Sequence, residues 1–254
     1  MMKEEGEWEQ VTSPALQHTP AFGSWIGRQT AIALSEAGWK VVLTARRLDM
    51  LKETAALCKN ETLILAGNVL DEEFVVDLFR IAVSHFGRLD LLFNNAGISA
   101  KPIPIETMSL QTFKNVIDVN LVGSFLATRE AFKIFKSQEP QGGKIINNGS
   151  LSAHVPRPNS FPYTCSKHAI TGLTRSTALD GRPFSITCTQ IDIGNALTDM
   201  SRGSTVGALQ PDGCILEEPT FDAKHVGSTI VHIASLPPDV AMLQVNIMYG
   251  IPQL

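Results

Sequence analysis

Leu89-Asp90-Leu91-Leu92-Phe93-Asn94-Asn95-Ala96-Gly97 is the stretch on which the fold turns. Its apolar run is short, continuous rather than alternating, and stops at a polar turn that contains glycine. That is the pattern of a strand buried on both faces, as in a parallel sheet covered by helices. Runs of the same kind stand on either side, at Val41-Val42-Leu43-Thr44, Thr62-Leu63-Ile64-Leu65-Ala66, Lys144-Ile145-Ile146-Asn147, 185–191 and 243–248. Between them the spacing becomes helical. Helices are expected from near Ile26 and over 48–58, 72–86, 111–135, 162–179 and 223–235. Strands that alternate with helices predict an α/β chain with a Rossmann-like, doubly wound parallel sheet. No internal repeat or low-complexity linker interrupts it, so a single domain over 21–254 is expected, preceded by an atypical N-terminal segment over 1–20.

Bulk composition narrows the chemistry. The chain has 254 residues, 44% of them hydrophobic and 18% charged, enough to bury a substantial core. A net charge of −4 and a pI near 5.9 give no footprint for nucleic acid. No apolar run approaches the roughly 18 residues of a membrane span. The acidic start, Met1 to Glu9, has no signal-peptide stretch, so a cytoplasmic protein is expected. Cys58, Cys165, Cys188 and Cys214 are widely spaced with no Cys-x-x-Cys pair, so neither a metal site nor a disulfide framework is expected.

Ligands of parallel α/β sheets bind at the carboxyl ends of the strands. Asn94 to Gly97, Ser150 and Ile193-Gly194-Asn195 each follow an expected strand and should line one cleft. Thirteen positions after Ser150 comes Tyr163, and Lys167 follows by four, which sets phenol and ammonium on one helix face. A free tyrosine titrates near pH ~10, and a neighbouring cation favours its phenolate. With a hydroxyl to hold a substrate oxygen, this set can move a proton to or from an alcohol or carbonyl.

Asn94-Asn95-Ala96-Gly97, Val119-Asn120-Leu121-x-Gly123, Ser150, Tyr163-x-x-x-Lys167 and Ile191-Asp192-Ile193-Gly194-Asn195-Ala196-x-Thr198 resemble, in order and spacing, the short-chain dehydrogenase/reductases. The resemblance covers the chain from about Trp25 onward. It implies a seven-stranded parallel sheet and a nicotinamide cofactor. It makes Tyr163 the general acid/base and Ser150 the group that positions the substrate oxygen. Lys167 would lower the Tyr163 pKa and bond the nicotinamide ribose, and Asn120 would support a water-linked proton relay. Asn94, Ala96 and Gly97 would pack against the adenosine half, while Ile193, Gly194 and Thr198 would meet the nicotinamide end. The implied partners are a small-molecule substrate and a second copy or three further copies of the chain, packed through the long helices.

Two positions bear on which dinucleotide is bound. Where relatives close the second strand with an acid that grips the ribose 2′-hydroxyl, this chain has Ala45 followed by Arg46 and Arg47. Guanidinium forks suit a 2′-phosphate, which favours NADP(H) over NAD(H). Asn68 stands where many relatives carry an aspartate over the adenine. The phosphate-binding loop departs from the family's Thr-Gly-x-x-x-Gly-Ile-Gly. Aligned on Ile26-Gly27, its first two glycines become Ala21 and Trp25, with Gly23 between them, and Pro14 and Pro20 suit a central strand poorly. The first strand is therefore expected to be disrupted, with Val11-Thr12 as its stub. The Ile26 helix still offers amides to a phosphate. Residues 200–218 are expected to form a substrate lid. The leading expectation is an NADP(H)-dependent oxidoreductase acting on a carbonyl or secondary alcohol of a small organic substrate. The alternative is a relative whose altered loop has impaired cofactor binding and turnover.

Overall fold

The computed structural model describes residues 9–13, 26–198 and 207–250. Seven strands form one parallel sheet: β1 (Glu9–Ser13), β2 (Lys40–Ala45), β3 (Thr62–Ala66), β4 (Leu91–Asn94), β5 (Gly143–Asn148), β6 (Ile186–Ile193) and β9 (Gln244–Ile247). Their order is β3-β2-β1-β4-β5-β6-β9. A short antiparallel hairpin, β7 (Ala208–Leu209) with β8 (Ile215–Leu216), lies outside it. From β1 the chain winds outward through β2 and β3, then restarts at β4 and winds the other way. The crevice between β1 and β4 is therefore the switch point where such sheets bind ligands.

The expected disruption of the first strand does not occur. Glu9–Ser13 occupies the centre of the sheet, paired with β2 at Val11↔Val42 and with β4 at Val11↔Leu92. The strand ends before Pro14, so no proline has to enter the ladder. Residues 9–13 thus belong to the sheet rather than to a segment apart from it. Ala21, Gly23 and Trp25 lie outside the described residues.

Helices cover both faces: α1 (Ile26–Glu36), α2 (Leu48–Ala55), α3 (Glu72–Phe86), α4 (Leu110–Ile117), α5 (Gly123–Ser137), α6 (Phe161–Gly181) and α7 (Lys224–Ala234). The start of α3 is fixed by Asp71, whose carboxylate accepts from Phe74 N at 3.1 Å. Gly87, at φ 93°, ends it in the left-handed conformation that glycine adopts without penalty. Successive strand residues point to opposite faces. On one face Val41, Leu43, Leu91 and Phe93 pack with Ala31 and Leu34 of α1 and with Val226 and Ile230 of α7. On the other, Val42, Leu92 and Ile145 meet Val75, Leu78 and Phe79 of α3 and Leu126, Ala131 and Phe135 of α5.

Phe135 is fully buried, and a Cβ built on Gly143 would lie 2.3 Å from its ring, so glycine makes room for the aromatic under β5. Phe135→Ala is expected to cost about 4 kcal/mol, the usual range for emptying a buried aromatic site. A urea midpoint within error of the parent's would contradict that placement.

The single helix expected over 111–135 is interrupted. Between α4 and α5 the chain widens into a π-helical turn, Asp118–Val122, with Asn120 buried at its middle. One extra residue in the turn rotates the downstream helix and re-aims a side chain, which is why such turns gather at functional sites.

Candidate active site

The carboxyl ends of β4, β5 and β6 are tied together by buried amides. Asn94 and Asn147 are register partners, and Asn94 Nδ2 donates to Asn147 Oδ1 and to Thr128 Oγ1, both at 2.9 Å. Asn147 Nδ2 in turn donates to Thr174 Oγ1 of α6 at 2.9 Å. The Asn94 side chain is thus committed to holding strands and helices in place. What it can offer a cofactor is the position of the turn beyond it, Asn95 to Gly97. Asn148 Nδ2 reaches back to Asn95 Oδ1 at 2.7 Å, joining the two strand ends at the mouth of the crevice.

Beyond β5 the backbone stays extended at Ser150, then enters a short 3₁₀ turn over Leu151–Ala153. Ser150 Oγ accepts from Ser152 N at 3.1 Å, and the Ser150 backbone N donates to Asp192 Oδ1 at 2.9 Å. The serine is therefore held from both sides. On α6, the Tyr163 phenol lies near enough to Ser150 for the serine to favour its ionised form. One turn on, Lys167 Nζ donates to Asn148 O at 2.7 Å and lies 5.4 Å from the centre of the Tyr163 ring. Ser150, Tyr163 and Lys167, expected from sequence to act together, are brought together.

Electrostatics adjust the expectation for the tyrosine. Burial pushes the Tyr163 phenol above its ordinary value. Ser150 and the Arg157 charge pull the other way, while Asp192 adds to the rise. The expected lowering by Lys167 does not govern the site, because removing the phenol from water outweighs it. Burial also brings Lys167 down to about 8, with Asp192 opposing the fall. At neutral pH the pair therefore rests as phenol and ammonium, a proton donor with a cation beneath it.

Asn120 makes three bonds. Its Oδ1 accepts from Ile98 N at 2.7 Å, and its Nδ2 donates to Ile98 O at 3.0 Å and to Ser166 Oγ at 2.9 Å. Ser166 Oγ donates to Tyr163 O at 2.7 Å. The side chain thus links the turn after β4 to the helical turn that carries Tyr163, and makes no bond to Lys167.

Residues expected at the cofactor follow the carboxyl ends of the strands. Ile26 and Gly27 open α1, with Gly27 buried. Arg46 is exposed after β2, and Arg47 stands at the N-cap of α2. Asn68 is exposed after β3, with its Oδ1 accepting from Leu70 N at 3.2 Å. Gly97 lies against Asn120, where an added Cβ would stand 3.4 Å from Oδ1. Ile193 ends β6, and Gly194 N donates to Ile247 O at 2.9 Å. Thr198 lies further on, just before residues 199–206, which lie outside the described residues and include the first part of the segment expected to form a lid. Glu218 ties the described residues after 206 to the end of β6 and to Arg157. Its carboxylate pairs with Arg157, accepts from Asn195 Nδ2 at 2.6 Å and accepts from Gln210 Nε2 at 3.1 Å. Burial pushes this carboxyl up, but those hydrogen bonds prevail and hold it below its ordinary value. Beside Arg157 opens a cavity of about 300 Å³, lined by Ile103, Ile105, Pro156 and Phe161 with Ser160 and Thr164.

Sequence reasoning misses Asp192 and the residues around it. The available signal is an acid inside a strand of otherwise uncharged residues, since a buried charge demands partners. Among the described residues no group of three metal-ligating side chains is found, and no helix is long and apolar enough to cross a membrane.

Comparisons with known proteins agree with this fold. A family model for short chain dehydrogenases matches residues 22–207. The mitochondrial borneol dehydrogenase of Lavandula x intermedia is 36% identical over 170 residues, which are 65% of this chain and 63% of that protein's length. Levodione reductase of Leifsonia aquatica is 32% identical over 187 residues, 72% of this chain and 69% of the relative. Among solved structures, a 3-ketoacyl-(acyl-carrier-protein) reductase from Brucella melitensis complexed with NADH superposes with a TM-score of 0.81 at 24% identity, covering 97% of this chain and 98% of that one. On the family match and the shared fold, this chain belongs to the short-chain dehydrogenase family.

Proposed function

We propose that the protein is an oxidoreductase that transfers a hydride between NADP(H) and a carbonyl or secondary alcohol of a small organic substrate. The observation that carries this reading is the Lys167 ammonium, 5.4 Å from the Tyr163 ring centre and bonded to Asn148 O at 2.7 Å, two residues before Ser150. Relatives named for alcohol and ketone chemistry support the substrate class, and a neighbouring structure that holds NADH supports a nicotinamide.

The residues present suit such a cofactor. Gly194 lies where a Cβ would come within 3.1 Å of Leu151 and Met248, so only glycine leaves the turn after β6 its close packing. Arg46 and Arg47 follow the carboxyl end of β2, and Lys167 bonds Asn148 O at the carboxyl end of β5, so cations stand at the strand ends where such a cofactor would lie. We assign Lys167, Thr198 and the turn over Ile193 and Gly194 to the nicotinamide half. The adenosine half falls to Arg46, Arg47, Asn68, Asn94, Ala96 and Gly97, with Gly23, Ile26 and Gly27 at the pyrophosphate. When bound, the nicotinamide supplies the hydride. Tyr163 donates its proton to the oxygen that gains charge during reduction, and Ser150 donates a hydrogen bond to the same oxygen. The Lys167 cation stabilises the phenolate left behind. A raised phenol suits this direction, because Tyr163 stays protonated through neutral pH.

Preference for NADP(H) rests on the two arginines. Arg46→Ala combined with Arg47→Ala is expected to weaken NADPH binding at least about tenfold, the worth of charged hydrogen bonds to one phosphate, while NADH binding changes little. Equal losses for both cofactors would count against the assignment. The function itself is tested by incubating the protein with NADPH and a panel of cyclic and linear ketones. Stoichiometric loss of NADPH with appearance of the alcohol is expected. The alternative, a relative impaired at Ala21 and Trp25, would consume none, and Ala21→Gly with Trp25→Gly would then restore turnover. We further propose assembly into a dimer or tetramer through the long helices α5 and α6.

A further inference from the structure

Asp192 is buried completely in β6, beneath the catalytic serine, and the reaction scheme gives it no part. Its Oδ1 accepts from Ser150 N at 2.9 Å and from Gln190 Nε2 at 2.7 Å. Its Oδ2 accepts from Gln244 Nε2 at 2.7 Å and stands 2.8 Å from His154 Nε2, which donates when that nitrogen carries hydrogen. A Cβ added to Gly149 would fall 2.1 Å from Oδ1, so the chain keeps a glycine where the carboxylate needs room. Burying an anion costs several kcal/mol unless its bonds are complete, and an apolar side chain in the same strand would avoid that cost. A carboxylate enclosed by four polar neighbours, with a glycine making room for it, is therefore a feature that calls for a use beyond filling the core.

The titratable groups that face it are few. His154 approaches from the turn after Ser150, while Tyr163 and Lys167 of α6 lie within reach of its field. Gln190 of β6 and Gln244 of β9 are neutral. Asp192 opposes the fall in the Lys167 value that burial causes, and it reinforces the rise at Tyr163. Both effects favour the phenol–ammonium form.

We propose that Asp192 is a positioning residue for the reaction, balancing the Lys167 ammonium with its charge and locking the Ser150 backbone with its Oδ1. Hydroxyl, phenol and ammonium are then presented as one pre-set unit. The role in turnover rests on the proposed oxidoreductase reading, whereas the charge balance can be read without any turnover.

The test uses the full chain labelled at lysine ε-carbons, with the Lys167 resonance identified by its absence in Lys167→Met. In the parent this resonance should titrate near pH 8. Asp192→Asn, which keeps the shape and the Oδ1 acceptor, should shift the midpoint down by about one pH unit, the scale of a lost neighbouring charge. Gln244→Lys, at an exposed strand position, replaces the amide at Oδ2 with a cation, leaves the Ser150 and Gln190 bonds to Oδ1 in place and should shift it in the same direction. That second variant carries the test should Asp192→Asn not fold. In turnover, Asp192→Asn should lower kcat roughly tenfold with KM within about twofold. An unmoved Lys167 midpoint in either folded variant overturns the proposal. So does a loss confined to melting temperature or KM with the pH profile of kcat superimposed on the parent's. A shifted midpoint in a protein that consumes no NADPH would leave the charge balance standing and refute the oxidoreductase reading instead.

Discussion

Replacing Tyr163 with Phe is expected to lower turnover roughly a thousandfold while cofactor binding stays within about threefold of the parent. The ring remains and Lys167 can keep its bond to Asn148 O, so the architecture of α6 is preserved. What disappears is the buried phenol beside Ser150, the proposed proton donor. Residual rate comes from the Ser150 hydroxyl and from holding the reactants in register. Single-turnover measurement with saturating NADPH separates the two contributions. A Phe variant with parent-like kcat would remove Tyr163 from the chemistry.

Lys167→Met is expected to move activity and stability in opposite directions. Loss of the cation raises the cost of the phenolate and removes a cofactor contact, so turnover should fall by at least about a hundredfold. The stability effect comes from the burial of the ammonium. Its value in the folded chain, about 8, lies below the ordinary 10.5, so between those pH values the folded state has lost a proton that the unfolded chain keeps. Stability therefore rises with pH across this window, and the cost of the buried charge is fully present below pH 8. At 1.36 kcal/mol per pH unit that cost is roughly 3 kcal/mol. Methionine removes it and forfeits about 1 kcal/mol for the hydrogen bond to Asn148 O. The variant should thus be more stable than the parent at pH 7 by about 2 kcal/mol and lose that advantage by pH 10.5. Urea midpoints at the two pH values decide it. A variant less stable at pH 7 would mean that Lys167 is held by more than one hydrogen bond. The same titration predicts that carbonyl reduction by the parent declines as pH rises through about 8.

Much of the fold was legible because β2, β4 and β5 are buried on both faces and so read as unbroken apolar runs. The face shared by Tyr163 and Lys167 came from helical spacing alone. Three features were not legible, each for a physical reason. Glu9–Ser13 is polar by composition, and only pairing with neighbours on both sides makes it a central strand. The π turn at Asn120 leaves the apolar spacing of 111–135 nearly unchanged, so one widened turn goes unseen. The partners of Asp192 lie at positions 150, 154, 190 and 244, and the pairing of Glu218 with Arg157 joins residues 61 apart in the chain, distances that no local pattern encodes. The site residues also divide in a way that residue types alone do not reveal. Asn94 and Asn120 spend their amides on the protein's own backbone and side chains, while Ser150, Tyr163 and Lys167 meet at the crevice.

The proposed proton-transfer site works only if this chain binds a nicotinamide cofactor beside it. Calorimetric titration of the full-length protein with NADPH, and in parallel with NADH, tests it most directly. Saturable binding of NADPH at micromolar concentrations, tighter than that of NADH, is expected. No binding of either dinucleotide, in protein that unfolds cooperatively in urea, would contradict it.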